Sequence, residues 1–582
     1  MHPLFTLCII FLQSFNNMIN SDFMTKYFNT TISFWKGIVN YINKNDWFAM
    51  LIVFIFTICY KLYIFNADLI FNDSAFYLSY SIDLDGAMSY LSMRSAPLYF
   101  TALISNLFLK FFSAKMFGLR ILQILNYLFL FLCVFKFFKN RITNICIIGG
   151  VLSIMVLSRP LLEFNYNDLS VSLCVLSLLL MVKSIDNANI TYMFFCGFVF
   201  AINIFTRLPN VIYLLFTLYI FLNCKDSRIG ILKYFIVGLL GFICGIFSFL
   251  LIVYLRGDLL DFYSGLVGLE NLSKDAGNSH NIFTMLSSSL EQVWDVFFLL
   301  LKNLMFFSFL CFLYKDKYKY FHIFIGGLFC AKNIHTLLFV QGSIPCMYLM
   351  WNTMMLLFII LKSKEHRNMA LILLMALYIV PLGSDVYFRG PLAYIFTAIV
   401  TPYAFYALSL AKNMNVAFKT TMYLYAFVMV LAIVVGDYFM DIQPCSEFNS
   451  KRTVAYSVEE CNVMKCIRIA PDKAENFSFY IDSVKPQIER KTVLVGHFGD
   501  LMGVLVMDKT LYNNAPQPWN SKTNIYNTVI STYKKTKEKP DVLLRKSDMQ
   551  DKDCPEIRFM KEVGGYSKKW ENEKYTLFSP EN

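Results

Sequence analysis

The stretch Pro97-Leu-Tyr-Phe-Thr-Ala-Leu-Ile-Ser-Asn-Leu-Phe-Leu-Lys-Phe-Phe-Ser113 decides how the rest of the chain is threaded. Read as a bilayer crossing, it places the basic run Lys136, Lys139, Arg141 outside and inverts every later basic loop. Read as a helix lying along the outer surface, it brings the signs into register. Lys136–Arg141, Lys183, Lys225–Arg228, Lys315–Lys319, Lys362–Arg367 and Lys412–Lys419 then all face the cytoplasm, as the bias of Lys and Arg toward cytoplasmic loops requires. Thr101, Ser105, Asn106 and Lys110 among its aromatics suit an interfacial position.

Working outward, the 582 residues are 57% apolar and only 16% charged, against roughly 45–50% and about 25% in soluble chains. The apolar residues come in blocks of about 20 separated by short polar punctuation, the pattern of membrane-spanning helices. That excludes a soluble enzyme, a disordered tail protein and a nucleic-acid-binding module. The net charge of +12 divides unevenly: the last 142 residues carry 22 Lys and Arg against 20 Asp and Glu. The excess therefore lies in the loops between apolar blocks, where it orients the chain and calls for no nucleic acid.

The expected fold is a polytopic α-helical membrane protein of about thirteen transmembrane helices with outer-surface juxtamembrane helices and a small C-terminal α/β extracytoplasmic domain. Residues 1–46 form a cytoplasmic or interfacial segment, 47–440 the membrane domain with its first outer loop at 66–115, and 441–582 the polar domain. The expected spans are 47–65, 116–135, 142–158, 171–184, 192–207, 209–223, 229–254, 292–313, 320–340, 345–361, 368–383, 391–410 and 420–439, with Lys332, Asn333 and His335 interrupting the ninth. An odd count puts the C-terminus outside. There Thr492-Val-Leu-Val-Gly, Asp541-Val-Leu-Leu and Lys574-Tyr-Thr-Leu-Phe read as strands. Cys445, Cys461, Cys466 and Cys554, in an oxidising compartment, allow two disulfides in three pairings.

The first outer loop carries Asn72-Asp-Ser-Ala-Phe-Tyr77, read as a short helix Ser74–Tyr80 with Asp73 at its N-cap. Asp73 can serve simply as the cap, or as an ionised carboxylate held at a helix N-terminus for chemistry. Asp168, in Asn165-Tyr-Asn-Asp168, reads as an Asx turn or as a group that binds acceptor or steadies a cation, and Glu163 is a weaker case of the same kind. Arg120 reads as an anchor for the start of its span. Arg94, Arg207 and Arg389 sit at outward ends, where they either snorkel to headgroups or line a site. His280, in the long loop Arg256–Glu291, is a solvated loop residue, a second acid/base or an acceptor contact. Tyr77 and Trp519 are the aromatics suited to stack on a sugar.

In order along the chain, the Asp73…Tyr77 motif, the Pro-initiated helix Ala96-Pro97-Leu98-Tyr99, Phe117-Gly118-Leu119-Arg120, the second outer acid Asp168 and Thr206-Arg207 resemble the GT-C superfamily of membrane glycosyltransferases. The likeness is to protein O-mannosyltransferases and the aminoarabinose transferases of lipid A. It departs from many relatives in having Asp73-Ser74 where they have Asp-Glu, and in placing Arg94 three positions ahead of Pro97. The resemblance implies an inverting transferase at the outer face of a bacterial inner membrane. Its donor would be a polyprenyl-phosphate-linked sugar, and its acceptor a lipid, a glycan or a protein. Asp73 would be the general base, with Arg94, Arg207 and Arg389 on the departing phosphate and Asp168, His280 and Tyr77 binding substrate. No cofactor and no obligatory metal is implied, and a divalent ion is left open. Two other classes remain: a polysaccharide polymerase or ligase using lipid-diphosphate oligosaccharide, and a lipid or glycan flippase.

Overall fold

In a bilayer every backbone N–H and C=O must be satisfied within the chain, so apolar blocks of this length become helices. The computed structural model describes residues 22–63, 71–82, 84, 98–157, 163–223, 228–274, 282–339, 343–382, 391–411, 414–439, 456–457, 461–465, 468–469, 471–512, 522–551 and 553–581. Its helices begin with α1 (Asp22–Lys44), α2 (Asp46–Tyr63), α3 (Phe71–Ile82), α4 (Tyr99–Leu109), α5 (Lys115–Phe138), α6 (Asn144–Leu157), α7 (Tyr166–Asp186) and α8 (Ile190–Ile204). After a 3₁₀ helix at Leu208–Thr217 come α9 (Leu218–Asn223), α10 (Arg228–Leu255), α11 (Leu259–Lys274), α12 (Ile282–Phe312), α13 (Lys319–Phe339), α14 (Ser343–Lys362), α15 (Arg367–Ile379), α16 (Pro391–Leu410) and α17 (Val416–Phe439).

Several expectations change. Among the described residues four helices are long and apolar enough to cross a membrane: Lys115–Phe138, Tyr166–Asp186, Gly230–Leu255 and Leu286–Phe312. The bent pair Ser33–Lys44 and Asp46–Leu62 would make a fifth, so a count of thirteen does not follow from length and composition. That pair turns by 101° at Asn45, whose side chain accepts from the Phe48 N–H at 3.1 Å and starts α2 afresh. The block at 209–223 is mostly 3₁₀, opening with Pro209 in its first turn. The outer loop 256–291 contains α11 and the start of α12 instead of running irregular. Lys332 and Asn333 do not interrupt α13, because the Asn333 amide donates back to the Phe329 carbonyl at 3.0 Å and needs no outside partner. α3 begins earlier than expected, so Asp73 sits in its first turn and not at the N-cap.

Helix ends sort into two sets. At one, the Asn144 amide donates to the Ile42 carbonyl at 3.0 Å, Arg141 pairs with Asp186, Asn368 donates to the Leu222 carbonyl at 2.9 Å, and Asn415 to the Leu310 carbonyl at 3.1 Å. These segments adjoin the loops whose basic residues set the threading. At the other end, the Phe100 N–H donates to the Phe205 carbonyl at 3.2 Å and the Phe164 N–H to the Leu119 carbonyl at 3.3 Å. The helix Tyr99–Leu109 belongs to this second end, as its reading as a surface helix requires.

In the C-terminal residues a short antiparallel pair joins β1 (Tyr456–Ser457) to β2 (Arg468–Ile469). The remaining strands are β3 (Thr492–Val495), β4 (Thr510–Leu511), β5 (Asp541–Arg545), β6 (Tyr566–Glu571) and β7 (Tyr575–Pro580). They form a five-stranded sheet of order β4-β3-β5-β7-β6. β3 lies parallel to β4 and β5; β7 runs antiparallel to β5 and β6. Successive residues face opposite layers. Val493, Val495 and Leu543 pack with Tyr480 and α18 (Leu501–Val506), whereas Leu494, Val542 and Leu544 pack with α19 (Lys522–Thr536) and α20 (Pro555–Val563). The first layer is continuous with the membrane part: Ala75 and Leu78 of α3, and Met116 and Leu119 of α5, share its apolar cluster. The Met116 N–H also donates to the Val463 carbonyl at 3.0 Å.

Among the described residues no disulfide joins Cys461 to Cys554, one of the bonds that the possible pairings include. Cys461 and Cys554 are buried free thiols, Cys461 within the seam between sheet and helices and Cys554 donating from Sγ to Glu556 Oε2 at 3.1 Å. Cys445 and Cys466 lie outside the described residues.

Candidate functional site

Three segments meet at the end away from the basic loops: α3, the turn Glu163–Asp168 that opens α7, and the corner Asn203–Asn210 after α8. Asp73 lies in the first turn of α3, where the helix dipole favours a carboxylate. The remainder of that helix is anchored. Ala75 and Leu78 are fully buried in the cluster containing Leu501, Met502 and Leu505, and Ser81 Oγ shares a hydrogen bond with Ser105 Oγ of α4 at 2.8 Å. Tyr77 is buried edge-on against Tyr166, ring centroids 5.8 Å apart, and so ties α3 to the start of α7.

Asn165, not Asp168, caps α7: its Oδ1 accepts from the N–H groups of Asn167 at 2.9 Å and Asp168 at 3.3 Å. This corrects the Asx-turn reading of Asp168, which sits inside the first helical turn, fully buried, with Oδ2 accepting from the Asn165 amide at 2.5 Å. Arg120 does not anchor to the surface either. Its Nη2 donates to Glu163 Oε1 at 2.9 Å, both side chains being almost wholly buried.

From α7 the polar contacts continue inward from the rim. Ser170 Oγ accepts from the Asn210 amide at 2.8 Å, and the Asn203 amide donates to the Ser170 carbonyl at 3.1 Å. Arg207, in the same corner, is buried. Its Nη2 donates to the Leu382 carbonyl at 3.0 Å and its Nη1 to the Val380 carbonyl at 3.4 Å, closing the C-terminal end of α15. A cation suits that end of a helix. The segment it holds leads directly into 383–390, which carries Arg389.

Thus α3 with Asp73 and Tyr77, Asp168 and Arg207 come to one end of the molecule. Arg94, His280, Arg389 and Trp519 lie outside the described residues.

Two polar clusters at this end have no counterpart among the motifs of the sequence. The Tyr99 hydroxyl donates to Asp258 Oδ2 at 2.6 Å while Arg256 Nε donates to the Tyr99 oxygen at 2.9 Å, locking α4 to the turn between α10 and α11. Burial first, then the Asp258 carboxylate, hold the Tyr99 phenol proton well above its ordinary range. In the sheet unit Asp500 is fully buried and accepts from Arg545 Nε at 2.9 Å, Tyr480 at 2.8 Å and Tyr575 at 3.0 Å. Burial and that carboxylate push the Tyr480 phenol far up. The cluster fixes the turn that precedes α18, the helix packed on α3. An Asp or Arg in an outer loop is too common a signal to reveal either set. Lys61 is a further case, and a single lysine near the outer end of an apolar helix is its only sign in the sequence.

No family model matches the chain, and no curated protein does. Among solved structures, it is similar to the Archaeoglobus fulgidus oligosaccharyltransferase tethered with an acceptor peptide, at 10% identity over 92% of this chain and 74% of that one, TM-score 0.46. It is also similar to Cupriavidus metallidurans ArnT bound to undecaprenyl phosphate, at 10% identity over 91% and 97%, TM-score 0.43. A second structure of ArnT, in the apo state, gives 10% identity over 94% and 98%, TM-score 0.43. At TM-scores below 0.5 these likenesses fix no residue's role, and the functional reading rests on the side chains. These neighbours are glycosyltransferases of the GT-C fold.

Proposed function

We propose that the protein is an inverting glycosyltransferase that moves a sugar from a polyprenyl-phosphate donor to an envelope acceptor at the outer face of a bacterial inner membrane. The observation that carries this reading is the gathering, at the end remote from the basic loops, of the α3 first turn with Asp73, the α7 start with Asp168 and the Arg207 corner. The bias of basic residues toward the cytoplasm makes that end the outer one. A lipid-linked donor keeps its tail in the bilayer and brings its phosphate and sugar to the rim.

The acceptor hydroxyl attacks the anomeric carbon. Asp73 takes the hydroxyl proton, the new carbon–oxygen bond forms, and the bond to the phosphate oxygen breaks with its electron pair remaining on the lipid phosphate. A positioned base contributes about 10²–10⁴-fold. Guanidinium groups stabilise the phosphate as it gains charge, an interaction stronger in the transition state than before it. Arg94 and Arg389 are assigned that role. Arg207, with two N–H groups on the α15 end, holds the segment leading to Arg389 and keeps further donors for the phosphate. Asp168, Tyr77 and His280 shape the acceptor side.

The test supplies the purified full-length protein with a single-sugar polyprenyl phosphate and, separately, with an oligosaccharide lipid diphosphate. Transfer with release of lipid monophosphate from the first supports the proposal. Turnover of the second alone makes the protein a polymerase or ligase, and translocation without phosphate release makes it a flippase.

A further inference from the structure

The apolar surface of α10 does not stop where that helix ends. Leu240, Ile243, Phe247 and Leu251 are exposed along a helix long and apolar enough to cross the bilayer, and such a surface belongs against acyl chains. The exposure continues into the last turn, where Leu255 is 73% exposed. Gly257, at a φ of 80°, then turns the chain through a conformation that a side chain would oppose. Hydrogen bonds make this turn rigid. The Asp258 N–H donates to the Val253 carbonyl at 3.1 Å, and the Asp258 carboxylate accepts from Tyr99 at 2.6 Å and from Arg256 Nε at 3.1 Å. α11 therefore leaves α10 in a direction fixed against α4. At about 3.6 residues per turn, its first side chains fall on three arcs. Phe262, 3% exposed, packs in the cluster of Tyr99, Phe205 and Phe249. Asp261 pairs with Lys535 of α19, so a second arc belongs to the sheet unit. Leu260, Tyr263 and Val267 form the third, and it is open: Leu260 is 74% and Tyr263 65% exposed.

We infer that α11 is a lipid-docking helix whose Leu260, Tyr263 and Val267 face enters the boundary between headgroups and acyl chains of the outer leaflet. Continuity names the occupant. Leu255 ends α10 and Leu259 begins α11, so across the rigid turn the open face starts where the acyl-facing surface of the spanning helix stops. The helical core and the sheet unit hold the other two arcs. A helix placed this way sinks its apolar side about 5–10 Å into the boundary, and the amphipathic Tyr263 ring suits that depth. The inference takes from the threading only the choice of leaflet and takes nothing from the transfer chemistry.

The experiment places a ketone-bearing amino acid singly at Leu260, Tyr263 or Val267 of the full-length protein, where it takes a spin label without involving the cysteines. The three side chains are exposed, so the label disturbs no packing, and elution like the parent protein checks each variant. In nanodiscs of phosphatidylethanolamine and phosphatidylglycerol, collisions of each label are measured with oxygen, which concentrates among acyl chains, and with a water-soluble nickel chelate. Position 251 on α10 and exposed position 573 in the sheet unit calibrate the lipid and water limits. The oxygen-to-nickel ratio at 260, 263 and 267 should shift from the value at 573 toward that at 251. A ratio matching position 573 would put the face in water and overturn the docking. Poor access by both reagents would show the face covered by protein, a second copy of the chain included, and would overturn it equally. A protein that transfers no sugar still gives this readout, so failure of the transfer reading and failure of the docking are told apart.

Discussion

Glu163 and Arg120 face each other in near-complete burial, and removing one leaves the other charged and without compensation. Glu163→Gln should therefore cost about 3–5 kcal/mol, while replacing both with Arg120→Met and Glu163→Leu should cost much less, a contrast that thermal inactivation in detergent can measure. Asp73→Asn should lower transfer by about 10²–10⁴-fold with unchanged melting temperature, since the amide keeps the size and can remain in the helix turn. In the sheet unit Glu556 is buried beside Cys554, and burial, with Asp548 and Asp551 nearby, raises its carboxyl from an ordinary 4.5 to about 7. Between those values the folded protein holds a proton that the unfolded chain has released. Stability thus falls as pH rises from about 4.5 to 7 and is level beyond, by an amount on the order of 3 kcal/mol. Melting scans across that interval should show the decline, and Glu556→Gln should flatten it. Lys61 shows where reading single residues stops: one lysine near the end of an apolar helix reads as a snorkelling end, and only the fold shows it buried with its ammonium over the Tyr127 ring.

At the level of elements, α8 and α10 approach so closely that a Cβ on Gly197 would overlap the Gly238 carbonyl oxygen, and one on Gly241 the Phe194 carbonyl oxygen. Small residues at such contacts let helix backbones meet where lipid offers no hydrophobic drive. Gly197→Val and Gly241→Val should force the helices apart and abolish recovery of monodisperse protein. Gly238→Ala, which meets first a flexible Met193 side chain at 3.3 Å, should be tolerated. Helices were legible because their apolar runs are long, and β3, β5 and β7 because β-branched and aliphatic residues cluster in them. β6 was not, since Tyr566-Ser-Lys-Lys-Trp-Glu571 is a charged edge strand whose sides are largely exposed, a composition that protects an edge and conceals a strand. Nor was the seating of α18 on α3, because it joins residues remote in sequence with no local pattern. The 3₁₀ course after Arg207 lacked a distinguishing signal beyond Pro209.

For the whole molecule, the decisive property is that helix ends sort into two sets and that the sheet unit packs with the set containing α3. Burial of Ala75 and Leu78 in one cluster with Leu501 and Met502 makes the side occupied by the C-terminal unit the side occupied by Asp73. In the proposed orientation the end bearing the basic loops faces the cytoplasm and the end with α3, Asp168 and Arg207 faces the opposite side. That the basic loops share one end was contained in the placing of Pro97–Ser113 and the Lys and Arg positions. The identity of the partners at the rim was not, because buried pairs such as Arg120 with Glu163 join separate helices.

The direct measurement is sided labelling with a membrane-impermeant thiol reagent at two exposed positions, Glu573→Cys in the sheet unit and Lys139→Cys in the basic set, each compared with the parent protein in intact cells and after permeabilisation. Position 573 should label in intact cells and position 139 only once the membrane is opened. The reverse pattern would put Asp73 in the cytosol, away from any lipid-linked donor presented outside, and would contradict the proposed transfer at its root.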